Sequence, residues 1–321
     1  MELVSYKTMP EWTRTSIPLA LLERHNTKEG TYAQMRILQG NMTFVVFNDD
    51  GSQISVECDT ENQPPLIQPQ QWHKIDKASD DIRCQLSFLC APEDKLFKEN
   101  DLSLPHSEVR YMATFTQPCK VLDLGAGRGR NSFYLASQGY EVTALDINAS
   151  HIDAIETVKT QTGLAVKSGL YDINEASLTE KYDIILSTVV LMFCQRERIE
   201  SIIKNMQECT NSNGINVIVC PVETPNSDPT EIPFKTFLRP NELADYYKDW
   251  EIIKYNEDLG HLHKTDANGN RIALNFATLI DTKKIVKHYC LFSNTPNIWG
   301  IFICLSEFYY YGDLSLLISR D

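Results

Sequence analysis

The spacing of apolar residues changes once along the chain, near residue 120. Beyond that point, short apolar runs alternate with amphipathic stretches, which predicts strands alternating with helices. The predicted strands are KVLDLGAG (120–127), EVTALDI (141–147), AVKSGLYD (165–172), YDIILSTVVLMF (182–193) and INVIVCPV (215–222). The predicted helices are RNSFYLASQ (130–138), SHIDAIETVKTQTG (150–163, capped by Ser150), RERIESIIKNMQECTNSNG (196–214) and NELADYYKD (241–249). Repeated β-α-β units predict a doubly wound α/β fold, whose parallel sheet is covered by helices on both faces.

Two further apolar stretches close this half of the chain, WEIIKYNED (250–258) and RIALNFATLID (271–281). The segment between them, LGHLHKTDANGN, is polar and contains an Asn-Gly pair, which a tight hairpin turn favours. We therefore predict that the last strand of the sheet runs antiparallel to its neighbours.

Residues 1–91 have a different sequence pattern, with short strand-like apolar runs between turns that contain Gly, Pro and Asp. The runs are MRILQGNMTFVVF (35–47), ISVEC (54–58) and IRCQLSFLC (82–90), and NDDGSQ (48–53) has the composition of a hairpin turn. This pattern predicts a small all-β sandwich or barrel. The polar stretch 92–119 predicts a linker that leads into a helix, so the α/β domain begins at residue 120. We assign this domain to 120–284 and a C-terminal extension to 285–321.

Composition narrows the function classes. The chain of 321 residues is long enough for two ordinary cores, and a net charge of −13 with a pI near 5.0 argues against a protein that wraps nucleic acid. Its 9 cysteines are scattered without a CxxC pair, which predicts reduced thiols and neither a disulfide framework nor a zinc site. Because we find no secretory signal and no apolar stretch of about 18–20 residues, we predict a cytoplasmic protein with no membrane partner.

The chemistry of the α/β half is indicated by VLDLGAGRGRN (121–131), a strand that runs into a glycine-rich turn. Both nicotinamide enzymes and methyltransferases place such a turn against a nucleotide ligand. Gly125 and Gly127 belong to a GxGxG spacing, whereas the dinucleotide fingerprint GxGxxG would need its third glycine at Arg130. Asp123 precedes the first glycine, where its carboxylate would meet the ammonium of a methionine moiety and would repel a pyrophosphate. The spacing therefore favours S-adenosylmethionine.

Acidic residues at the ends of the next two predicted strands support the same cofactor. Asp146 is placed to accept both ribose hydroxyls, and Asp172 with Ile173 is placed to bind the adenine amine and cover its ring. Arg130 is expected to reach the methionine carboxylate. The alternative is an ordinary strand-to-helix turn without a ligand. The predicted cofactor-binding residues are Asp123, Gly125, Gly127, Arg130, Asn131, Asp146, Ile147, Asp172, Ile173, Thr188, Val189, His106 and Arg110.

Beyond these residues, the chain resembles the tellurite-resistance methyltransferases of the TehB type, from about Leu104 to about Lys284. The segments that carry the resemblance are PHSEV (105–109), LDLGAGRGRNSFYLA (122–136), STVVLMF (187–193), NMQECT (205–210) and KYNEDLGHLHKTDANGNRIALNFAT (254–278). The resemblance implies the class I methyltransferase fold, a Rossmann-like sheet. It also implies methyl transfer from S-adenosylmethionine to a small oxyanion, tellurite or selenite.

The resemblance also implies the polar groups that would hold the acceptor, namely His263, Lys264 and Arg271. The family more often has Arg at the position of Lys264, and Lys keeps the charge without the planar two-point fork. His263 would act as a base or share a proton with the oxyanion. The alternative is a solvated hairpin tip, with Arg271 paired to Asp258 or Asp266.

The all-β segment resembles a small cupin-like domain, because PQQWHKI (69–75) is similar to the cupin strand on which a His can bind metal. Only His25 and His73 are available, outside the usual His-x-His register, so we predict no metal and a stabilising or ligand-sensing role. For residues 285–321 three interpretations stay open: an extra strand pair, an oligomer contact and an extension from a changed reading frame.

Three alternatives to tellurite methylation also stay open. The first keeps S-adenosylmethionine but assigns a small organic acceptor. The second is a ligand-sensing binding protein that retains the cofactor, and the third, the weakest, is a nicotinamide-dependent oxidoreductase.

Overall fold

The structure, a computed structural model, describes residues 2–48, 50–224, 234–265 and 271–284, with the backbone alone for residues 263–265. The predicted extension 285–321 and the Asn-Gly turn of the last hairpin lie outside these residues. Within the described residues, no helix is long and apolar enough to cross a bilayer.

Residues 1–91 fold into two facing β-sheets, as their sequence pattern predicts. One sheet comprises β1 (Val4–Thr8), β2 (Trp12–Thr13), β3 (Tyr32–Gln39) and β7 (Arg83–Cys90), with β7 paired to the other three. The other comprises β5 (Gln53–Cys58), β4 (Met42–Phe47) and β6 (His73–Ala78), in that order, and the short helix α1 (Leu19–Leu22) lies against β6. The inward apolar side chains of both sheets form one core. The predicted run 35–47 is therefore two strands, β3 and β4.

A linker with two short helices follows, α2 (Lys95–Glu99) and α3 (Ser107–Ala113). Helix α2 lies against β1 of the first sheet, and the ammonium group of Lys98 donates to the backbone oxygen of Glu29 at 2.5 Å and to the Thr31 hydroxyl at 2.9 Å. The linker is thus tied to the all-β part of the chain.

The second part is a sheet of seven strands, covered on both faces. The strands are β8 (Lys120–Leu124), β9 (Glu141–Asp146), β10 (Val166–Leu170), β11 (Tyr182–Thr188), β12 (Thr210–Pro221), β13 (Glu251–Thr265) and β14 (Arg271–Thr282). Their order is β10-β9-β8-β11-β12-β14-β13, and β14 runs antiparallel to the other six strands. The helices are α4 (Arg130–Ser137), α5 (Ala149–Thr162), α6 (Ile199–Cys209) and α7 (Glu242–Tyr246). Two buried clusters, one on each face, complete the doubly wound fold. The prediction of an antiparallel last strand is confirmed.

Several predicted boundaries are wrong, and for three of them the structure shows a local reason. The cap of α5 is Asn148, whose side-chain oxygen accepts the backbone N–H of Ser150 at 2.9 Å. Strand β11 ends at Thr188 because Val189 has φ of +60°, and the apolar residues after it form a 3₁₀ turn. Helix α6 ends at Cys209 because Thr210 already belongs to β12, where it pairs with Tyr182.

Candidate active site

A cleft of about 320 Å³ opens at the carboxyl ends of β8 and β11. This is the edge of an open α/β sheet where the strand order reverses and where ligands bind. The described residues that line it come from three segments: the glycine turn, the end of β11 and a linker segment, residues 101–106, that we call the strap. The lining residues are Asp101, Leu102, Ser103, Gly125, Ala126, Gly127, Arg128, Arg130, Asn131, Thr188 and Val189.

Two glycines shape the floor of the cleft for different reasons. Gly125 has φ of +77°, and a Cβ there would collide with the side chain of Val190. Gly127 has φ of +57°, and a Cβ there would project into space that no described residue other than its chain neighbours fills within 4 Å. Gly125 is therefore required by packing, whereas the missing side chain at Gly127 leaves room for a ligand.

Asp146 lies at the end of β9 beside this turn, as the spacing predicts. Its Oδ2 accepts the backbone N–H of Gly127 at 2.8 Å, while its Oδ1 accepts the N–H of Asn148 at 2.9 Å and lies 3.1 Å from Nδ1 of His151. A carboxylate offers about four acceptor positions, so about one remains on Oδ2. Its binding of both ribose hydroxyls stays a prediction.

Asp123 differs from the sequence prediction. Its carboxylate is buried beneath the glycine turn, where Oδ2 accepts the hydroxyl of Ser132 at 2.6 Å, and it does not line the cleft. Burial raises the pKa of Asp123 to about 6, opposed by the Ser132 hydrogen bond and by Arg130. Arg130 does line the cleft, and burial lowers the pKa of its guanidinium. The negative charge of Asp123 therefore stabilises the charged form of Arg130.

Asn131 connects three parts of the site. Its Oδ1 accepts the backbone N–H of His106 at 2.9 Å, and its Nδ2 donates to the hydroxyl of Thr188 at 3.0 Å. His106 caps α3 through Nδ1, and its pKa falls to about 4, chiefly through burial and then through Arg130. Val189, beyond Thr188, has φ of +60°, a strained conformation for a β-branched residue. Asn131 thus fixes the strap against the end of β11.

The two isoleucines predicted to bind the cofactor, Ile147 and Ile173, divide between the surface and the core. Ile147 is 66% exposed at the end of β9, whereas Ile173 is only 9% exposed and packs in a core cluster. Asp172 uses Oδ1 to accept the backbone N–H of Asn174 at 2.9 Å, and its own backbone follows β10. The surface available to cover a ring is therefore Ile147, and Ile173 supports the loop from below.

Sequence reasoning predicted His106 at the end of the strap but missed Asp101, Leu102 and Ser103, which carry no periodic pattern. Asp101 has φ of +50°, and its backbone oxygen accepts from the Arg128 guanidinium at 3.3 Å, across the cleft from the glycine turn. Arg110, predicted to close over the cofactor, is not among the described lining residues. It interacts electrostatically with Asp94, whose pKa is raised by burial and lowered by Arg110.

The hairpin β13–β14 extends past the edge of the sheet on the cleft side. The pairing of β12 with β14 ends at Pro221 and Phe276, whereas β13 and β14 remain paired as far as Thr265 and Arg271. Both backbone segments that carry the predicted residues His263, Lys264 and Arg271 therefore lie beyond the carboxyl ends of the parallel strands.

Arg271 braces this hairpin. Its Nε donates to the backbone oxygen of Leu262 at 2.9 Å, and its Nη2 donates to that of His261 at 3.1 Å. A pairing with Asp258 is not what the structure shows, because Asp258 lies opposite Phe276, well along the hairpin from Arg271. Asp266 lies outside the described residues.

The same hairpin contacts α3. The ammonium group of Lys254 on β13 donates to both carboxylate oxygens of Glu108, at 2.9 and 2.8 Å, and lies 5.5 Å from the ring centre of Tyr111. Glu108 follows His106 by two residues, so this ion pair joins the hairpin to the end of the strap.

The geometry fits an adenosyl sulfonium ligand. A carboxylate at the end of β9, an open space above Gly127 and a strained turn after β11 meet in one cleft. Together with the strand order and the antiparallel β14, they define an S-adenosylmethionine-dependent methyltransferase with a Rossmann-like fold.

Comparisons with known proteins specify the family. The family model described as "Tellurite resistance protein TehB" matches residues 88–280, and the model described as "TehB-like domain" matches residues 7–86. The chain belongs to the TehB family.

Similar proteins are found in bacteria. The "Probable S-adenosyl-L-methionine-dependent methyltransferase TehB" of Haemophilus influenzae (strain 10810) is 45% identical over 284 residues, covering 88% of this chain and 99% of the relative. The crystal structure of TehB from Haemophilus influenzae has a TM-score of 0.66 at 45% identity, with the same coverage of 88% and 99%. "Hemagglutinin 1" of Eikenella corrodens is 38% identical over 217 residues, covering 68% of this chain and 72% of the relative. The chain is therefore similar to methyltransferases over most of its length.

Proposed function

We propose that this methyltransferase transfers a methyl group to tellurite, and also to selenite. The proposal is supported by the family to which the chain belongs. The observation that supports it is that β13 and β14 stay paired beyond the carboxyl end of β12, and this part of the hairpin carries His263, Lys264 and Arg271.

The cofactor contributes an electrophilic methyl group on a sulfonium, and the chain contributes positioning. We propose that Asp146 accepts a ribose hydroxyl, that Asp172 accepts the adenine amine, and that Ile147 covers the ring. Arg130, held from below by Asp123, would bind the methionine carboxylate. Such fixed groups favour reaction because they replace random encounter with one orientation.

The acceptor requires a different set of groups. A small anion must be held and partly stripped of water, which cationic donors on a loop can do. Lys264 would supply charge and His263 would take or share a proton. Arg271 would act by bracing the backbone of this segment through the oxygens of His261 and Leu262, in addition to any contact with the anion.

The test uses the purified full-length protein with S-adenosylmethionine, tellurite and a thiol reductant, and it measures S-adenosylhomocysteine and methylated tellurium; the thiol supplies the electrons that volatile tellurides require. We expect turnover to fall at least about tenfold in Arg271→Ala, which corresponds to about 1.4 kcal/mol of transition-state stabilisation. Arg271→Lys separates the two roles, because Lys keeps the charge but cannot donate from both Nε and Nη2. Equal losses in the two variants indicate bracing, and partial rescue by Lys indicates charge.

His261→Ala is the matched control, since the exposed side chain lies on the same hairpin and only its backbone oxygen contacts Arg271. Its turnover should match that of the unmodified protein. If Arg271→Ala methylates tellurite at the original rate, the hairpin does not take part in the reaction.

One observation favours the alternative of a small organic acceptor. Phe193, in the 3₁₀ turn after β11, is 48% exposed and packs edge-on against Phe234, with 5.4 Å between ring centres; Phe234 also lies 5.8 Å from Phe237. Such an aromatic surface suits an apolar acceptor better than an oxyanion. Protein that consumes S-adenosylmethionine with aromatic thiols or phenols, but releases no methylated tellurium, would establish this alternative.

A further inference from the structure

His151 lies beside the carboxylate of Asp146, although it is not among the predicted cofactor-binding residues. Its Nδ1 lies 3.1 Å from Oδ1 of Asp146. The imidazole belongs to the first turn of α5, where the backbone N–H of His151 donates to the oxygen of Asn148 at 3.0 Å. Because Asn148 also caps this helix, the start of α5 holds His151 close to the end of β9.

The contact between His151 and Asp146 has a defined donor. An ionised carboxylate only accepts hydrogen bonds, so Nδ1 of the imidazole carries the proton and donates it to Oδ1. Nδ1 is protonated in this tautomer of the neutral ring and also in the charged ring. His151 therefore gives Asp146 a side-chain donor in both charge states of the imidazole.

This donor restricts the rotation of the Asp146 carboxylate. The terminal torsion of an aspartate is broad, so the two oxygens keep distinct positions only when their partners hold them. Oδ1 accepts from His151 and from the backbone N–H of Asn148, at 3.1 and 2.9 Å, whereas Oδ2 accepts from the backbone N–H of Gly127 at 2.8 Å. Two donors on Oδ1 thus leave Oδ2 on the side of the glycine turn, with an acceptor position to spare.

Burial decides how much such a donor contributes. The side chain of Asp146 is 10% exposed, whereas that of His151 is 37% exposed. A hydrogen bond to a charged group that is largely removed from water contributes more than a contact between two exposed side chains. The imidazole therefore covers a nearly enclosed carboxylate. The alternative is a contact that only stabilises the start of α5.

We propose that His151 is a positioning residue for the cofactor: by donating to Oδ1, it holds the Asp146 carboxylate so that Oδ2 accepts a ribose hydroxyl of S-adenosylmethionine. His151 acts through Asp146 and does not touch the reacting atoms. This role rests on the binding of the ribose by Asp146 that is part of the proposed function.

The test measures Kd by calorimetry with the full-length protein, for S-adenosylhomocysteine and for its 2′-deoxy and 3′-deoxy analogues. In the unmodified protein, at least one analogue should bind about tenfold more weakly. His151→Leu should weaken the binding of S-adenosylhomocysteine by about fivefold to tenfold. The same analogue should then lose no more than about a further twofold, because the hydroxyl has already lost its oriented acceptor. A full tenfold further loss in His151→Leu would contradict the proposal.

A conservative variant separates the hydrogen bond from a structural role. In His151→Asn the side-chain Nδ2 can donate in place of Nδ1, so S-adenosylhomocysteine should bind within about twofold of the original Kd. Gln161→Leu is the matched control, since Gln161 is exposed at the other end of α5, and its Kd should not change. Denaturation without ligand measures the effect of each variant on the fold. If His151→Asn binds as weakly as His151→Leu, the hydrogen bond is not the cause.

Two outcomes distinguish a failure of this role from a failure of the proposed function. If neither analogue loses affinity in the unmodified protein, the binding of the ribose by Asp146 is wrong, and the role of His151 is wrong with it. If an analogue loses affinity but His151→Leu binds S-adenosylhomocysteine with the original Kd, only the role of His151 is wrong.

Discussion

The substitution Gly127→Ala tests whether the open space in the cleft is the cofactor cradle. The new methyl group would meet no described residue within 4 Å apart from its chain neighbours, so its cost to the fold comes from the left-handed backbone at φ +57°. That cost is about 1 kcal/mol for alanine relative to glycine. The same methyl group projects into the cleft, where it would exclude part of a bound nucleoside.

Gly163→Ala is the matched control. Gly163 ends α5 with φ of +70°, and a Cβ there would also meet nothing within 4 Å, but it does not line the cleft. Both variants should therefore lose about 1 kcal/mol of unfolding free energy without ligand. Gly125→Ala should lose more, because its methyl group collides with Val190.

The assay is chemical denaturation with and without S-adenosylhomocysteine. At a ligand concentration of about 100 times Kd, binding stabilises the unmodified protein and Gly163→Ala by about 2.7 kcal/mol. A tenfold weaker Kd in Gly127→Ala reduces this stabilisation to about 1.4 kcal/mol. Calorimetric titration gives Kd independently. Equal ligand stabilisation of the two variants would refute the assignment of the cradle.

Two other predictions concern stability. Asp281 is buried, and among the described residues neither of its carboxylate oxygens has a hydrogen-bond partner. Burial raises the pKa of Asp281 to about 7. The folded protein therefore keeps a proton on Asp281 over a pH range in which the unfolded chain has released it. Between about pH 4 and pH 7 the free energy of unfolding should therefore fall with rising pH, by up to about 1.4 kcal/mol per pH unit from this group. Urea titrations at pH 5 and pH 8 measure this slope, and Asp281→Asn should remove it. An unchanged slope in the variant would show that another group titrates. Lys254→Met leaves the half-buried carboxylate of Glu108 without its partner and should lower the free energy of unfolding by about 1–2 kcal/mol. In a double-mutant cycle, adding Glu108→Gln to the same protein should recover part of this loss. Strictly additive losses would exclude an interaction between the two side chains.

The sheet was predictable because its strands alternate with helices at clear spacings, and so was the meeting of Gly127 with Asp146. Both residues follow parallel strands whose carboxyl ends must share an edge, which puts the contact within reach of sequence reasoning. The division of the chain at residue 91 stays a prediction, and so does the cupin-like character of its first part.

The errors arose where tertiary packing decides. Ile173 has the position of a ring-covering residue, yet its side chain turns into the core, while Asp123 is covered by the turn that it precedes. The strap has no hydrophobic period, so nothing in its composition announced that Asp101 would border the cleft. The backbone bridge between His25 and His73 joins two segments that are distant in sequence, a pairing that a single sequence does not specify.

The contacts from Arg128 to the Asp101 oxygen and from Asn131 to the His106 N–H fasten the strap at both of its ends. If a nucleoside binds between the strap and the glycine turn, we expect it to leave after at least one of these two hydrogen bonds breaks. We therefore expect S-adenosylhomocysteine to be released more slowly than the methyl group is transferred. The turnover rate would then depend on how tightly the strap is held.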